Sequence, residues 1–150
     1  MKKNNFIVFV LLAGSLLNVF SQTNSQKKVI LISVKSDFKN AVVNYISFFY
    51  QQKKVLFSTA DFKNLSGVDE KEWDAIIILS TIQKDKISDN VINFSKDKVL
   101  SKKIILANTA DSGQWKKKQL DYDTITMASK KENIELFSKK IIEKIEKLIN

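Results

Sequence analysis

The sequence predicts an α/β domain, a three-layer α-β-α sandwich on a five-stranded parallel sheet of order 2-1-3-4-5. Three observations predict it. Val29–Val34 (VILISV) and Asp74–Ser80 (DAIIILS) contain short, continuous apolar runs rich in β-branched residues, the composition of strands buried on both faces. Between such runs lie segments whose apolar residues recur at spacings of three and four, so strands alternate with helices. The 150 residues are enough for one domain with its own core, and right-handed crossovers narrow the possible strand orders.

The chain opens on a different kind of segment. Lys2 and Lys3 precede a nearly continuous apolar run, Phe6–Phe20, broken only by Gly14, Ser15 and Asn18. A helix of that length spans roughly 22 Å, short of the ~30 Å hydrocarbon core. Val19-Phe20-Ser21 then supplies a small residue before a cleavage point at Gln22. Residues 1–21 therefore read as a secretory signal peptide, 22–27 as a flexible leader and 28–150 as the domain. The expected address is periplasmic or secreted, with no stable membrane span after cleavage. No Cys follows the apolar run, which excludes a lipid anchor at that point.

Within the domain the first strand is Val29–Val34. Ser36 or Asp37 caps a helix whose apolar stripe is Phe38, Ala41, Val42, Tyr45, Ile46 and Phe49. Phe48-Phe49-Tyr50 ends that helix with more aromatic surface than one face needs. Val55-Leu56-Phe57 is a second, weaker strand, and the polar stretch from Thr59 to Trp73 has room for a short helix at most. Asp74–Ser80 is the central strand, with Trp73 packing at its rim. Ser88 is the N-cap of a helix running through Phe94 towards Val99, with Ile87 and Ile92 in the positions of a hydrophobic staple. Lys103–Ala107 is the fourth strand, and Asn108–Gln119 a long polar loop. Tyr122–Met127 alternates and belongs near a sheet edge. Ser129 to Glu132 has capping-box spacing, and Ile134, Phe137, Ile141, Ile145 and Leu148 line the last helix.

Composition excludes several chemistries. The chain has no His and no Cys. Nucleophilic systems built on histidine, zinc sites of the usual Cys/His type and disulfides are therefore impossible. All 25 basic residues are lysine and the net charge is +9. Without Arg, the side chain best suited to bidentate phosphate recognition, the lysines read as a solvated surface, and no nucleic-acid partner is expected. No catalytic constellation emerges, so an enzymatic role is not assigned.

In a sheet of this order, ligands bind beyond the carboxyl ends of the strands, where the chain order reverses. The loops that reach this point supply the candidate ligand-binding residues. They are Ser33, Lys35 and Ser36 after the first strand, Ser80, Thr81 and Gln83 after the third, and Asn108, Thr109, Gly113 and Trp115 after the fourth. Hydroxyls and amides predominate, which fits hydrogen bonding to a small molecule. For Trp115 the alternatives are covering the sheet end, stacking on a ligand and facing a partner. No catalytic or metal-binding residue is nominated.

Trp73–Ile82 (WDAIIILSTI) resembles the third strand of flavodoxins, and Lys102–Trp115 (KKIILANTADSGQW) is similar to their fourth strand and its following loop. The resemblance in element order covers nearly the whole domain. It implies a flavodoxin-like fold, FMN as cofactor and an electron-transfer role, with Ser80–Gln83 and Asn108–Trp115 flanking the isoalloxazine ring. The chain departs from the family after the first strand. Flavodoxins close on the FMN phosphate with a loop of the form T/S-x-T/S-G-x-T, whereas this chain reads Ser33-Val34-Lys35-Ser36-Asp37-Phe38-Lys39 and lacks the glycine. A phosphate ~4 Å from the Asp37 carboxylate would be repelled by about 4 kcal/mol at an effective dielectric near 20. Receiver domains share the topology but need an acidic phospho-acceptor at the end of the third strand, where this chain has Ser80 and Thr81. Two functions therefore stand side by side. One is an exported flavodoxin-like domain that binds a small molecule at its strand ends. The other is a non-catalytic module that has lost the cofactor and binds a protein partner in the cell envelope.

Overall fold

Every residue of Val29–Ile32 is buried because strand β1 (Lys27–Ser33) lies inside the sheet with both faces covered. A computed structural model describes residues 25–83, 86–96, 102–110 and 123–150. The expected signal peptide, residues 22–24 of the expected leader and the loop carrying Gly113 and Trp115 lie outside these residues, and Lys27, the last leader residue, belongs to β1. After β1 come helix α1 (Asp37–Gln51), β2 (Val55–Asp61), two 3-10 segments (Phe62–Gly67 and Glu70–Glu72) and β3 (Ala75–Thr81). They are followed by α2 (Asp89–Phe94), β4 (Ile104–Ala110), β5 (Asp123–Ala128), a 3-10 turn (Lys131–Asn133) and α3 (Ile134–Ile149). The five strands form one sheet in the order β2-β1-β3-β4-β5, and every neighbouring pair is parallel. This is the predicted order.

Strand alternation divides the core in two. Val29, Leu31, Ala75, Ile77, Leu79, Ile105 and Ala107 face α1 and α3, where they meet Val42, Ile46, Phe137, Ile141 and Ile145. Ile30, Ile32, Ile76, Ile78, Ile104 and Leu106 face the other way, onto Leu65, Ile87 and Val91. Burying one such aliphatic side chain contributes about 1.5–3 kcal/mol, so this double burial stabilises a domain that has no disulfide. Trp73 packs against the second cluster, as its place before β3 predicts.

Several local expectations need correction. Strand β2 is longer than its apolar part and pairs in register with β1 from Lys27↔Val55 to Ser33↔Asp61. Helix α2 ends at Phe94, and Val99, towards which it was expected to run, lies outside the described residues. The next residue, Ser95, turns its hydroxyl back to donate to Val91 O at 2.6 Å, the same carbonyl that accepts from Ser95 N at 3.0 Å. Ser88 precedes α2 but makes no side-chain capping bond, although Ile87 and Ile92 do pack into one cluster. The Ser129–Glu132 capping box does not form, because the 3-10 turn Lys131–Asn133 occupies the space where α3 would start. On α3 the buried line runs through Ile142 and Ile149, and Leu148 is exposed.

Candidate functional site

Strand β4 continues beyond its apolar part. Asn108 and Thr109, expected in a loop, are fully buried strand residues paired with Ser80 and Thr81 of β3. Hydrogen bonds explain how a polar pair survives there. Ser80 Oγ donates to Asn108 Oδ1 at 2.6 Å, and Thr109 Oγ1 lies 3.4 Å from Ser80 O. Ile82 N donates to Thr109 O at 2.8 Å, carrying the ladder one step past the last strand residue. Asn108 Nδ2 is left buried without a hydrogen-bond partner among the described residues, a costly state for an amide donor.

The β1–α1 connection is only Val34, Lys35 and Ser36. Its polar groups largely turn inward. Val34 N donates to Leu79 O at 3.1 Å, which ties the connection to β3. Ser36 is the N-cap of α1, as predicted, and its Oγ accepts from Lys39 N at 3.3 Å. Lys35 is exposed and forms an ion pair with Asp61 at 3.5 Å, at the end of neighbouring β2. The Lys63 backbone N–H holds the Asp61 carboxyl below the usual carboxylate value, and Lys35 acts in the same direction.

Lys39 is the residue that the sequence reading missed. It sits in the first turn of α1 and is only 4% exposed, whereas lysines are almost always solvated. Its Nζ donates to Thr81 Oγ1 at 2.8 Å, so α1 reaches over the end of β3. Among the described residues no carboxylate pairs with it. Burial lowers its pKa from the ordinary lysine value. One signal was available in the sequence. The buried line of α1 is Val42, Ile46 and Tyr50, and a step of three back from Val42, which stays on the same helix face, arrives at Lys39.

Ser80 and Thr81 line a cleft of about 380 Å³, together with Val34, Phe62, Gln83 and Ile87. Its size falls within the range of small-molecule sites. Gln83 is held by an antiparallel bridge to Lys86, which also lines the cleft, as does Asp89. Val34, Ser80, Thr81 and Gln83 thus meet at the switch between β1 and β3, while Ser33 bonds its own neighbour's carbonyl (Val34 O, 3.0 Å) and Lys35 points to β2. A second cleft of about 410 Å³ lies beyond Phe62, between the first 3-10 segment and α2, with Asn90 and Asn93 on its wall. Among the described residues no cluster of acidic side chains is arranged to hold a metal, and no helix is long and apolar enough to cross a membrane.

The same architecture occurs in solved structures. An archaeal flavodoxin superimposes with a TM-score of 0.51 at 14% identity, over 82% of this chain and 99% of its own. The fold is flavodoxin-like. A short-chain flavodoxin associated with a non-canonical PDU bacterial microcompartment gives 0.51 at 13% identity, covering 79% of this chain and 99% of its own. General stress protein 14 of Treponema denticola, solved in complex with FMN, gives 0.51 at 12% identity, covering 81% and 99%. No protein-family model matches the sequence, and no curated protein matches it significantly. At these identities the likeness extends to the flavodoxin-like fold and leaves the ligand open.

Proposed function

We propose that this domain binds a small molecule in the cleft at the carboxyl ends of β1 and β3. The observation that carries the reading is the position of the cleft. It opens where the strand order reverses, and Val34, Ser80 and Thr81 line it. Open α/β sheets hold their ligands at that point. FMN is the first ligand to test, because a protein of the same fold is in complex with it.

The phosphate end of FMN does not fit the β1–α1 connection in the way the flavodoxin loop pattern requires. No glycine is present, and Ser36 Oγ is committed to capping α1. Asp37 adds a negative charge in the first turn of α1, where the helix dipole would otherwise favour an anion. No electron-transfer step is assigned to the domain. The same closed connection supports a second reading, a non-catalytic interaction module of the envelope that has lost the cofactor. The proposal includes an exported address, supported by Lys2, Lys3 and the apolar run Phe6–Phe20.

The absorbance spectrum of the protein as isolated, followed by fluorescence titration with FMN and riboflavin, tests the flavin version. Visible flavin bands or saturable quenching are expected if the cleft takes a flavin. A colourless protein that titrates with neither favours the interaction module. Cell fractionation with N-terminal sequencing tests the address. A protein outside the cytoplasm starting at Gln22 is the expected result, and an intact chain in the cytosol refutes it.

A further inference from the structure

The disagreement at the phosphate loop has a counterpart on β3. A buried ammonium without a counter-ion is an expensive feature, since buried charges are ordinarily paired. Among the described residues Lys39 is such a group, and it is not idle packing. Its Nζ is held by Thr81 Oγ1, and Thr81 lines the cleft. A threonine hydroxyl that accepts from an ammonium still has its own hydrogen to donate, and the positive charge behind it strengthens that donation. A second unspent donor lies at the same end of the sheet, where Asn108 Nδ2, wholly buried beside Ser80, has no partner among the described residues.

We infer that the Lys39–Thr81 pair is an anion anchor, and that the ligand of the cleft carries an oxyanion, a phosphate or a carboxylate, which accepts from Thr81 Oγ1 and is balanced by the Lys39 charge. The anchor stands on β3 and the body of α1, whereas the flavodoxin pattern uses the loop between them. Thr81 makes the contact and Lys39 acts through it as a positioning residue. Asp89 on the same cleft repels an anion and Lys86 attracts one, so the exposed charges lining the cleft are mixed, and the buried charge of Lys39 decides its preference.

This inference rests on the strand-end cleft being the ligand site, and the test separates the two. Protein purified after expression of the full chain is titrated by two-dimensional amide NMR with inorganic phosphate, with acetate and with riboflavin, which has no anionic group. Lys39→Met and Thr81→Val are titrated in parallel. Saturable shifts with phosphate or acetate, centred on Thr81 and the first turn of α1, are expected in the parent. The two anions distinguish a phosphate ligand from a carboxylate one. Affinity for the preferred anion is expected to fall roughly tenfold or more in Lys39→Met and in Thr81→Val, corresponding to the loss of one charge-assisted hydrogen bond. Any binding of riboflavin should persist in both variants, which a merely structural role for Lys39 would not allow. Anion shifts scattered over surface lysines, or unchanged in Lys39→Met, overturn the anchor. If riboflavin nevertheless binds at the cleft, the strand-end site stands and only the anchor is lost. Should Lys39→Met fail to fold, Thr81→Val carries the decision alone.

Discussion

Ser80 Oγ donates a 2.6 Å hydrogen bond to Asn108 Oδ1 across the paired ends of β3 and β4. Both residues are buried, and the bond is the reason two polar side chains can end apolar strands without disrupting them. Ser80→Ala leaves Asn108 Oδ1 as bereft as its Nδ2, and the expected cost is about 1–3 kcal/mol. The double variant Ser80→Ala/Asn108→Leu removes both partners and is expected to regain most of that loss. Urea denaturation of the three proteins measures both steps. A double variant that is less stable than Ser80→Ala would contradict this account.

Tyr50 joins the two helices on the opposite face. Its hydroxyl donates to Glu146 Oε1 at 2.9 Å, and its ring stacks on Phe57 with centroids 5.2 Å apart. Burial together with the adjacent Glu146 carboxylate raises the phenol pKa well above the usual value, so Tyr50 stays protonated throughout the working pH range. Tyr50→Phe keeps the stacking and loses the bond to a half-buried acceptor that water can reach. The expected loss is about 1–2 kcal/mol, read from chemical denaturation.

Lys39→Met is expected to fold and, in the absence of ligand, to be at least as stable as the parent near neutral pH, because it removes a buried charge with which no carboxylate among the described residues pairs. The pH dependence has a definite sign. The folded pKa of Lys39 is depressed, so between that value and the ordinary lysine value the unfolded chain binds more protons than the folded one. Parental stability therefore rises with pH through this window and is penalised below it. Denaturation midpoints of parent and variant, compared at about pH 7 and about pH 10, should show their gap shifting in the parent's favour as pH rises. The other lysines are common to both proteins and cancel.

Ser36 and Ser129 look alike in the sequence as helix caps, yet the structure gives them different weight. Ser36 Oγ accepts from Lys39 N, whereas α3 starts after a 3-10 turn without a side-chain cap. Ser36→Ala is expected to cost about 1 kcal/mol. Ser129→Ala should stay within about 0.5 kcal/mol of the parent. Equal losses in a thermal melt would mean that the capping assignment is mistaken.

Phe137 lies at the centre of the α1–α3 cluster, fully buried, with its ring 6.0 Å from that of Phe38. Phe137→Ala is expected to cost about 3–5 kcal/mol. Phe48, also aromatic but 66% exposed, should tolerate Phe48→Ser almost without loss. The pair checks which part of the aromatic end of α1 and its surroundings belongs to the core.

The sheet order and the positions of β1 and β3 were legible because strands buried on both faces must be apolar at every position, and few other structures demand that. Polar strand ends carry no such mark. Asn108 and Thr109 read as loop because their partners, Ser80 and the β3 backbone, are nearly thirty residues away in the chain. Helix stripes were legible in existence but not in phase. The first helix turns Val42, Ile46 and Tyr50 inward, and that rotation draws Lys39 inside with them. A lysine in the first turn of an amphipathic helix ordinarily reaches water, and only the location of Thr81 above it reveals another destination.

The all-parallel sheet has a further consequence. No strand meets its neighbour through a hairpin, so Val34, Thr81 and the Lys39 ammonium behind them come together only after β1 has closed on β3 across the whole of α1 and β2. The unfolded chain contains no fragment of the cleft, and a molecule that fits it has nothing to bind until the topology is complete. Occupancy is therefore written directly into global unfolding, by about 2.7 kcal/mol at a ligand concentration one hundred times the Kd. A melting curve recorded against a library of small anions would thus serve as a reporter for a ligand whose identity is not known in advance.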